Sequence, residues 1–377
     1  KITTNAAGET IYKWGFVSTK ATNDGFVDGW ARWNFTGYEG KSAYAEYRAV
    51  VETMKNIGQD PNLGCGRALW ENNGELNKYG TTMSLMLLPH WTKGCIGSME
   101  GLNFEAAGTT PYHFITAAAM SKQSSNPVRE LRYDDNNAGL GVRYLQELGV
   151  RYYMAFTAEA INQANMQAAL VKVAQSGPWV IYKVEASDLV VPMSVQPVIV
   201  TSKVGDPKER WLEIGTSWFQ HPEDWAAVPV ASGPESWQKV EAIVDLNRRQ
   251  GEPTDSSRRV DIVKPSETIN KVELPAVQVS NTVLEDEAIS FTVDKIGVPV
   301  LVRMSYFPNW KVENAEGPYR VAPNMMVVIP TSKEVRLHYG YSFIDFFAYF
   351  MTFLGVATMA VRWRGRQVER NRKLLSR

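Results

Sequence analysis

The sequence predicts an α+β extracytoplasmic region, in which a mixed α/β domain is followed by an antiparallel β-sandwich-like domain, and one C-terminal transmembrane helix. Three observations carry that expectation. Hydrophobic periodicity is helical or mixed up to about residue 200, and alternates with period two from residue 260 onward. Residues 343–361 form an apolar run of 19 with one charge, Asp345. The charge balance changes sign across that run: the first 361 residues hold 33 basic and 39 acidic groups, the last 16 hold seven basic and one acidic. The zero formal charge of the 377-residue chain is therefore a cancellation between a body of −6 and a tail of +6. A content of 44% apolar and 21% charged residues excludes a disordered chain, and no basic excess in the total argues for nucleic-acid binding.

Taken in order, residues 1–200 are expected to form the aromatic-rich mixed α/β domain. Residues 43–57 place Tyr44, Tyr47, Val50, Val51, Met54 and Ile57 on one stripe, an amphipathic helix ended by Gly58. Residues 81–88 are an apolar run stopped by Pro89, and 108–120 read as a loop followed by a helix. A short helix over 141–148 closes at Gly149. The strand over 150–156 is apolar on both faces and therefore central. An Ala/Gln-rich helix over 158–174 and a strand over 179–184 complete a βαβ unit with parallel pairing.

Residues 201–258 read as a polar connecting region holding Trp211, Trp218, Trp225 and Trp237, a helix over 235–249 and a linker over 249–258. In the sandwich-like domain, 259–340, the alternating sets are Val272, Leu274; Ile289, Phe291, Val293; Val298, Val300, Val302, Met304; Met325, Val327, Ile329; and Val335, Leu337, Tyr339. Turns are expected at Pro308-Asn309 and Glu316-Gly317-Pro318.

The span is assigned to 341–363 and the basic tail to 364–377. Nineteen residues at ~1.5 Å each approach the ~30 Å hydrocarbon thickness of a bilayer. Tyr341, Tyr349 and Trp363 lie near its ends, where amphipathic rings favour the headgroup layer. A buried C-terminal helix is the competing reading, but it does not require a basic stop. The positive-inside bias puts the tail in the cytoplasm and the body outside, at the cell membrane. The opening Lys1-Ile-Thr-Thr-Asn5 is polar, so the expectation is a C-terminal portion of a longer polytopic protein.

Cys65 and Cys95 sit among glycines, in Gly64-Cys65-Gly66 and Gly94-Cys95-Ile96-Gly97. An even count in an outward-facing domain favours one disulfide, worth roughly 3 kcal/mol by loop entropy. Two buried thiols remain the alternative. The histidines are scattered without ligand spacing, so no metal and no other cofactor is expected.

Chemistry-bearing residues concentrate in 64–115. Aromatic faces stack on sugar rings while carboxylates and amides bind hydroxyls, which makes Trp70, Glu71, His90, Trp91, Glu100, Glu105, Tyr112 and His113 candidate glycan-binding residues. Paired carboxylates, Glu71 with Glu100 or Glu105, also suit glycoside chemistry, though no spacing rule links them and no catalytic residue is assigned. The competing reading is a disulfide-stapled, aromatic-rich core.

The motifs Trp33-Asn-Phe-Thr-Gly-Tyr-Glu39, Gly64-Cys-Gly-Arg-Ala-Leu-Trp-Glu71, Leu87-Leu-Pro-His-Trp91, Gly94-Cys-Ile-Gly-Ser-Met-Glu-Gly101, Thr109-Thr-Pro-Tyr-His-Phe114, Leu148-Gly-Val-Arg-Tyr-Tyr-Met154 and Ser305-Tyr-Phe-Pro-Asn-Trp310 resemble a family of actinobacterial polytopic membrane proteins. That family carries the label "6-pyruvoyl-tetrahydropterin synthase-related". It is more distantly similar to YfhO-type proteins and to GT-C membrane glycosyltransferases acting on polyprenyl-phosphate sugars. The resemblance implies that any catalytic acid lies in an N-terminal membrane region outside this sequence. Pterin synthase activity is not expected, because that enzyme's zinc needs a histidine triad and no plausible one is present here.

Two functions follow as expectations: the acceptor- or glycan-binding part of such a glycosyltransferase in cell-envelope assembly, or a non-catalytic structural and interaction module of an envelope complex. The expected partners are the lipid bilayer, the protein's own upstream transmembrane region, an envelope glycan or lipid-linked sugar, and other subunits of a membrane complex, with no nucleic acid. An open groove lined by Trp70, Glu71, Trp91, Glu100 and His113 favours the first function; complete burial of these side chains favours the second.

Overall fold

The segment Val150–Ala155 is apolar on both faces, and the strand it forms runs down the middle of a sheet. The computed structural model describes residues 2–20, 27–101, 107–124, 126–201, 210–248 and 260–375. The chain divides into two units, Lys1–Leu189 with Leu246–Ile262, and Val190–Asp245 with Val263–Arg377. The linker expected over 249–258 lies outside the described residues.

The first unit opens with an antiparallel three-stranded meander, β1 (Ile2–Thr4), β2 (Thr10–Trp14) and β3 (Val17–Lys20), and a helix α1 (Val27–Phe35). Helix α2 (Tyr44–Gln59) buries Tyr47, Val50, Val51, Met54 and Ile57, the expected stripe. It does not end at Gly58. A Cβ on that residue would stand 2.6 Å from Cys95 Sγ, so glycine lets the last turn lie against the disulfide.

Next come β4 (Gly66–Trp70), α3 (Leu88–Trp91), β5 (Ile96–Ser98), α4 (Thr110–Ala119), α5 (Ala138–Glu147), β6 (Val150–Ala155), α6 (Ala158–Asn165), β7 (Leu170–Ser176) and β8 (Trp179–Val184). Five of these make a mixed sheet in the order β5-β4-β6-β8-β7. Alternate side chains go to opposite faces. Ala68, Trp70, Tyr152, Met154, Trp179 and Ile181 join α2 in one core, while Tyr153 donates to the Met120 carbonyl at the end of α4 on the other side.

The expected βαβ unit is not formed. Helix α6 stops at Asn165 after two turns, and the supposed second half of the helix is strand β7, which pairs with β8 across the two-residue turn Gly177-Pro178. The extra strand reverses the direction, so β6 and β8 are antiparallel. Parallel pairing occurs instead between β4 and β6 and between β4 and β5.

The second unit contains β9 (Val190–Pro192), β10 (Val198–Val200), α7 (Arg210–Gln220), β11 (Pro229–Val230), β12 (Lys239–Val240), β13 (Ala242–Val244) and β14 (Val263–Pro265). It continues with β15 (Val279–Leu284), β16 (Ala288–Val293), β17 (Val300–Val302), β18 (Trp310–Glu313), β19 (Ala315–Val321), β20 (Met325–Pro330) and β21 (Glu334–Tyr339). A seven-stranded mixed sheet, β12-β10-β11-β19-β20-β17-β9, and an antiparallel four-stranded sheet, β15-β16-β21-β18, are its main layers.

Several expectations change here. The stretch read as a connecting region supplies α7 and β11–β13, and its four tryptophans are all buried. The helix expected over 235–249 is replaced by β12, β13 and a short 3-10 turn, because Val240, Ile243 and Val244 are β-branched and find strand partners. Val272 and Leu274 flank an isolated bridge at Glu273, not a strand. Gly317-Pro318 makes no turn either: it sits in a bulge inside β19.

Last is α8 (Phe343–Leu375), of 33 residues. Its first 26, Phe343–Val368, are long and apolar enough to cross a membrane, and 0% of that stretch is buried, unlike a core helix.

Candidate functional site

The cysteines sit one residue before β4 and β5, whose parallel register pairs Gly66 with Ile96. Neighbouring strands lie about 4.8 Å apart, and the Cys65–Cys95 disulfide joins them with a Cα separation of 4.7 Å. Each cysteine follows a glycine in the left-handed region, Gly64 at φ +73° and Gly94 at φ +82°, which turns the chain into the strand. The bridge thus fixes the starts of two strands whose far ends carry the candidate residues.

Strand β4 ends on Trp70, which is buried in the core beneath α2. Glu71 follows and is fully buried. Its Oε2 accepts from the backbone N–H groups of Phe156 and Thr157, each at 2.7 Å, and its Oε1 accepts from Thr157 Oγ1 at 2.6 Å and Lys122 N at 3.3 Å. Those N–H groups precede α6, where an anionic cap complements the helix dipole. Four donors satisfy the two oxygens of this carboxylate, so Glu71 ties β4 to the β6–α6 junction and has nothing left for a ligand.

The chain leaves β5 at Ser98, whose Oγ donates to the Glu100 carbonyl at 2.5 Å. That turn directs Glu100 toward α4, where His113 Nε2 stands 2.8 Å from Glu100 Oε1. Both side chains are buried, and among the described residues Glu100 Oε2 and His113 Nδ1 have no hydrogen-bond partner. They line a cavity of about 160 Å³ together with Ser98, Thr109 and Thr110. Tyr112 is buried in the same turn of α4. Glu105 lies outside the described residues.

His90 and Trp91 occupy the outward side of α3, Trp91 being 37% exposed. Trp91 Nε1 donates to Tyr47 Oη at 2.9 Å, and Tyr47 donates to the Ser84 carbonyl at 3.1 Å. Burial pushes the Tyr47 hydroxyl up to about 12, against the lowering by the Trp91 hydrogen bond. The His90 ring meets Trp91 edge-on at 4.7 Å.

Of the eight candidates, then, the structure brings Glu100 and His113 into contact, takes Trp70 and Glu71 into structural roles, and leaves His90 and Trp91 on an outer ledge. It also shows a polar chain that sequence reasoning missed. Trp179 Nε1 donates to Tyr79 Oη at 2.9 Å, Tyr79 donates to Glu46, and Lys78 pairs with Glu46 at 2.6 Å. Burial raises the Glu46 carboxyl, and the Lys78 and Tyr79 hydrogen bonds with the Lys78 charge more than reverse it, leaving it below the ordinary value. No local spacing signals this chain, because Trp179 lies 100 residues from Tyr79 and Tyr79 lies 33 from Glu46.

Larger cavities of about 490 and 250 Å³ belong to the second unit, lined by groups such as Asp224, Lys264 and Glu267, and Trp237 and Gln238, respectively. They hold none of the candidates. Among the described residues no group of three or more His, Cys, Asp or Glu side chains is arranged to hold a metal ion. No protein-family model matches this sequence, and neither a curated protein nor a solved structure does.

Proposed function

We propose that this chain is a membrane-anchored, extracytoplasmic module of cell-envelope assembly that acts by binding partners, with α8 crossing the cell membrane and the basic tail in the cytoplasm. The observation that carries it is the unburied apolar helix Phe343–Val368, whose last turns carry Arg362, Arg364 and Arg366. In this reading the seven- and four-stranded sheets form the sandwich-like part of the outer body. Burial of Trp70, Glu71, Glu100 and His113, four of the five side chains expected in an open glycan groove, favours an interaction module, while Trp91 stays exposed. The direct test is an alkaline carbonate wash of membranes from cells making the full chain. The reading expects the chain to stay in the pellet and a chain ending at residue 342 to be released; release of the full chain contradicts it.

A second reading, the acceptor-binding part of a GT-C-like glycosyltransferase, draws on the Glu100–His113 cavity. Two buried polar atoms without a partner among the described residues, in a space of about 160 Å³, suit a ligand that donates hydroxyls. Titrating the full chain in detergent with envelope glycan fragments tests it. Saturable binding lost in Glu100→Gln, with the near-UV circular dichroism unchanged, supports this reading, and no binding removes it.

A further inference from the structure

The sequence places Asp345, the one acid of the apolar run, at the start of α8, and the structure gives it a purpose. Its Oδ2 accepts from Ser342 N and Ser342 Oγ, each at 2.6 Å. Both bonds run from Ser342 to the carboxylate three residues on, the half of a capping box in which the acid reaches back to the first residue's N–H. A third donor, Asn309 Nδ2 at 3.2 Å, comes from the turn before β18, and the same group donates to the Gly340 carbonyl at 2.9 Å. Gly340 N returns a bond to the Asn309 carbonyl at 3.0 Å. The membrane helix therefore does not hang from a loose tether: its first turn is bonded to the four-stranded sheet.

Around that junction the sheet exposes aromatics that a soluble edge does not need. Trp310 pairs across β18 and β21 with Tyr339, their rings edge-to-face at 5.8 Å, and Phe307 stacks on Tyr339 at 6.0 Å. Phe307 is 50% exposed, and Tyr339, Tyr341 and Phe343 are also exposed. Tyr339 lies in register with the buried Val335 and Leu337, so the patch continues the sheet's apolar face out toward the helix. Exposed contiguous apolar surface marks an interaction site. Its occupant is set by distance: Gly340, Tyr341 and Ser342 bridge β21 to α8, and three residues span at most about 10 Å. A headgroup layer is roughly 5–8 Å deep on each side of the hydrocarbon, and Trp and Tyr concentrate there.

We propose that Phe307, Trp310, Tyr339, Tyr341 and Phe343 form a lipid-facing platform that sits in the phospholipid headgroup layer and seats the four-stranded sheet on the leaflet from which α8 emerges. The proposal rests on the membrane-anchor reading and adds to it a fixed posture of the sheet. Lipid fills the platform, not a second protein.

Both natural cysteines are in the disulfide, so an introduced cysteine takes a thiol-reactive fluorophore uniquely. Three variants of the full chain, Phe307→Cys, Ser332→Cys and Phe353→Cys, are labelled and reconstituted in phosphatidylcholine nanodiscs. Parallel discs carry lipids with a nitroxide on the headgroup or deep in the acyl chain. Ser332 is the distal control, a six-residue strand or roughly 20 Å from the junction. The platform predicts that headgroup nitroxide roughly halves emission from the label at 307 while the label at 332 is unaffected, and that the label at 353 responds to the deep nitroxide. Equal, unquenched emission at 307 and 332 with quenching at 353 overturns the platform and keeps the anchor. No quenching at 353 overturns the anchor itself.

Discussion

Residues 64–115 and 305–349 draw on much the same alphabet, large aromatics beside acids, Asn, Gly and Pro, yet they meet opposite fates. Trp70, Tyr79 and Tyr112 are almost wholly buried, whereas Phe307, Tyr341 and Phe343 face outward, the last 83% exposed. The difference lies in what surrounds each strand. In the first region β4 lies inside a sheet with helices packed on it, so Trp70, Tyr79 and Tyr112 are enclosed, and Trp91 on the outer side of α3 is the exception. In the second, the four-stranded sheet runs out into a helix with an apolar surface and the aromatics continue that surface. An aromatic-rich segment is core or interface according to its place in the sheet, and only the latter needs a partner.

The comparison breaks most visibly under truncation. Trp70→Ala is expected to cost about 3–5 kcal/mol, as for large-to-small changes in a packed core, while Phe307→Ala stays within about 0.5 kcal/mol, as for exposed positions. Urea unfolding of both in the same detergent measures the contrast, and similar midpoints refute it. Glu71→Ala belongs with the large effects. It leaves four donors at Phe156, Thr157 and Lys122 short of an acceptor, worth about 3–5 kcal/mol at 1–3 kcal/mol per group with partial relaxation. A ligand-binding Glu71 predicts instead little change in stability.

Reducing the Cys65–Cys95 bridge comes next, at about 3–4 kcal/mol for closing a loop with separation 30. The first unit's transition should shift in dithiothreitol, and an unmoved transition contradicts a structural staple. Trp91→Ala follows. It removes the donor to Tyr47 and is expected to cost about 1 kcal/mol.

The smallest effect is pH-dependent. Glu46 has its carboxyl held below the ordinary 4.5, so its contribution is complete above that value and is lost as pH falls through the lowered folded value. Stability curves of wild type and Glu46→Gln should converge on acidification below the ordinary carboxylate value. A difference that persists unchanged removes Glu46 from the account.

Local patterns were largely legible in the sequence. The α2 stripe, the central strand β6, four of the five late alternating sets and the long apolar helix each rest on a single period or on length, and each is present. What failed was long-range. Residues 166–176 have Ala and Gln that favour a helix, but Leu170 and Val171 gain strand partners on β8, and that gain decides the hairpin. Likewise Glu71 looks like a ligand-binding acid in the sequence, because nothing there reveals that Phe156 and Thr157 will point two N–H groups at it. The Glu100–His113 contact joins two of the candidate residues, but their spacing of 13 positions matches no helical or strand period.

The account's central claim is topological, and cysteine accessibility tests it most directly. Ser332→Cys and Gln367→Cys, each in the full chain, are exposed to a membrane-impermeant maleimide in intact cells or spheroplasts and again after lysis. The account predicts labelling at 332 before lysis and at 367 only after it. Labelling at 367 in intact cells, or protection at 332, contradicts a body outside the membrane and a tail within.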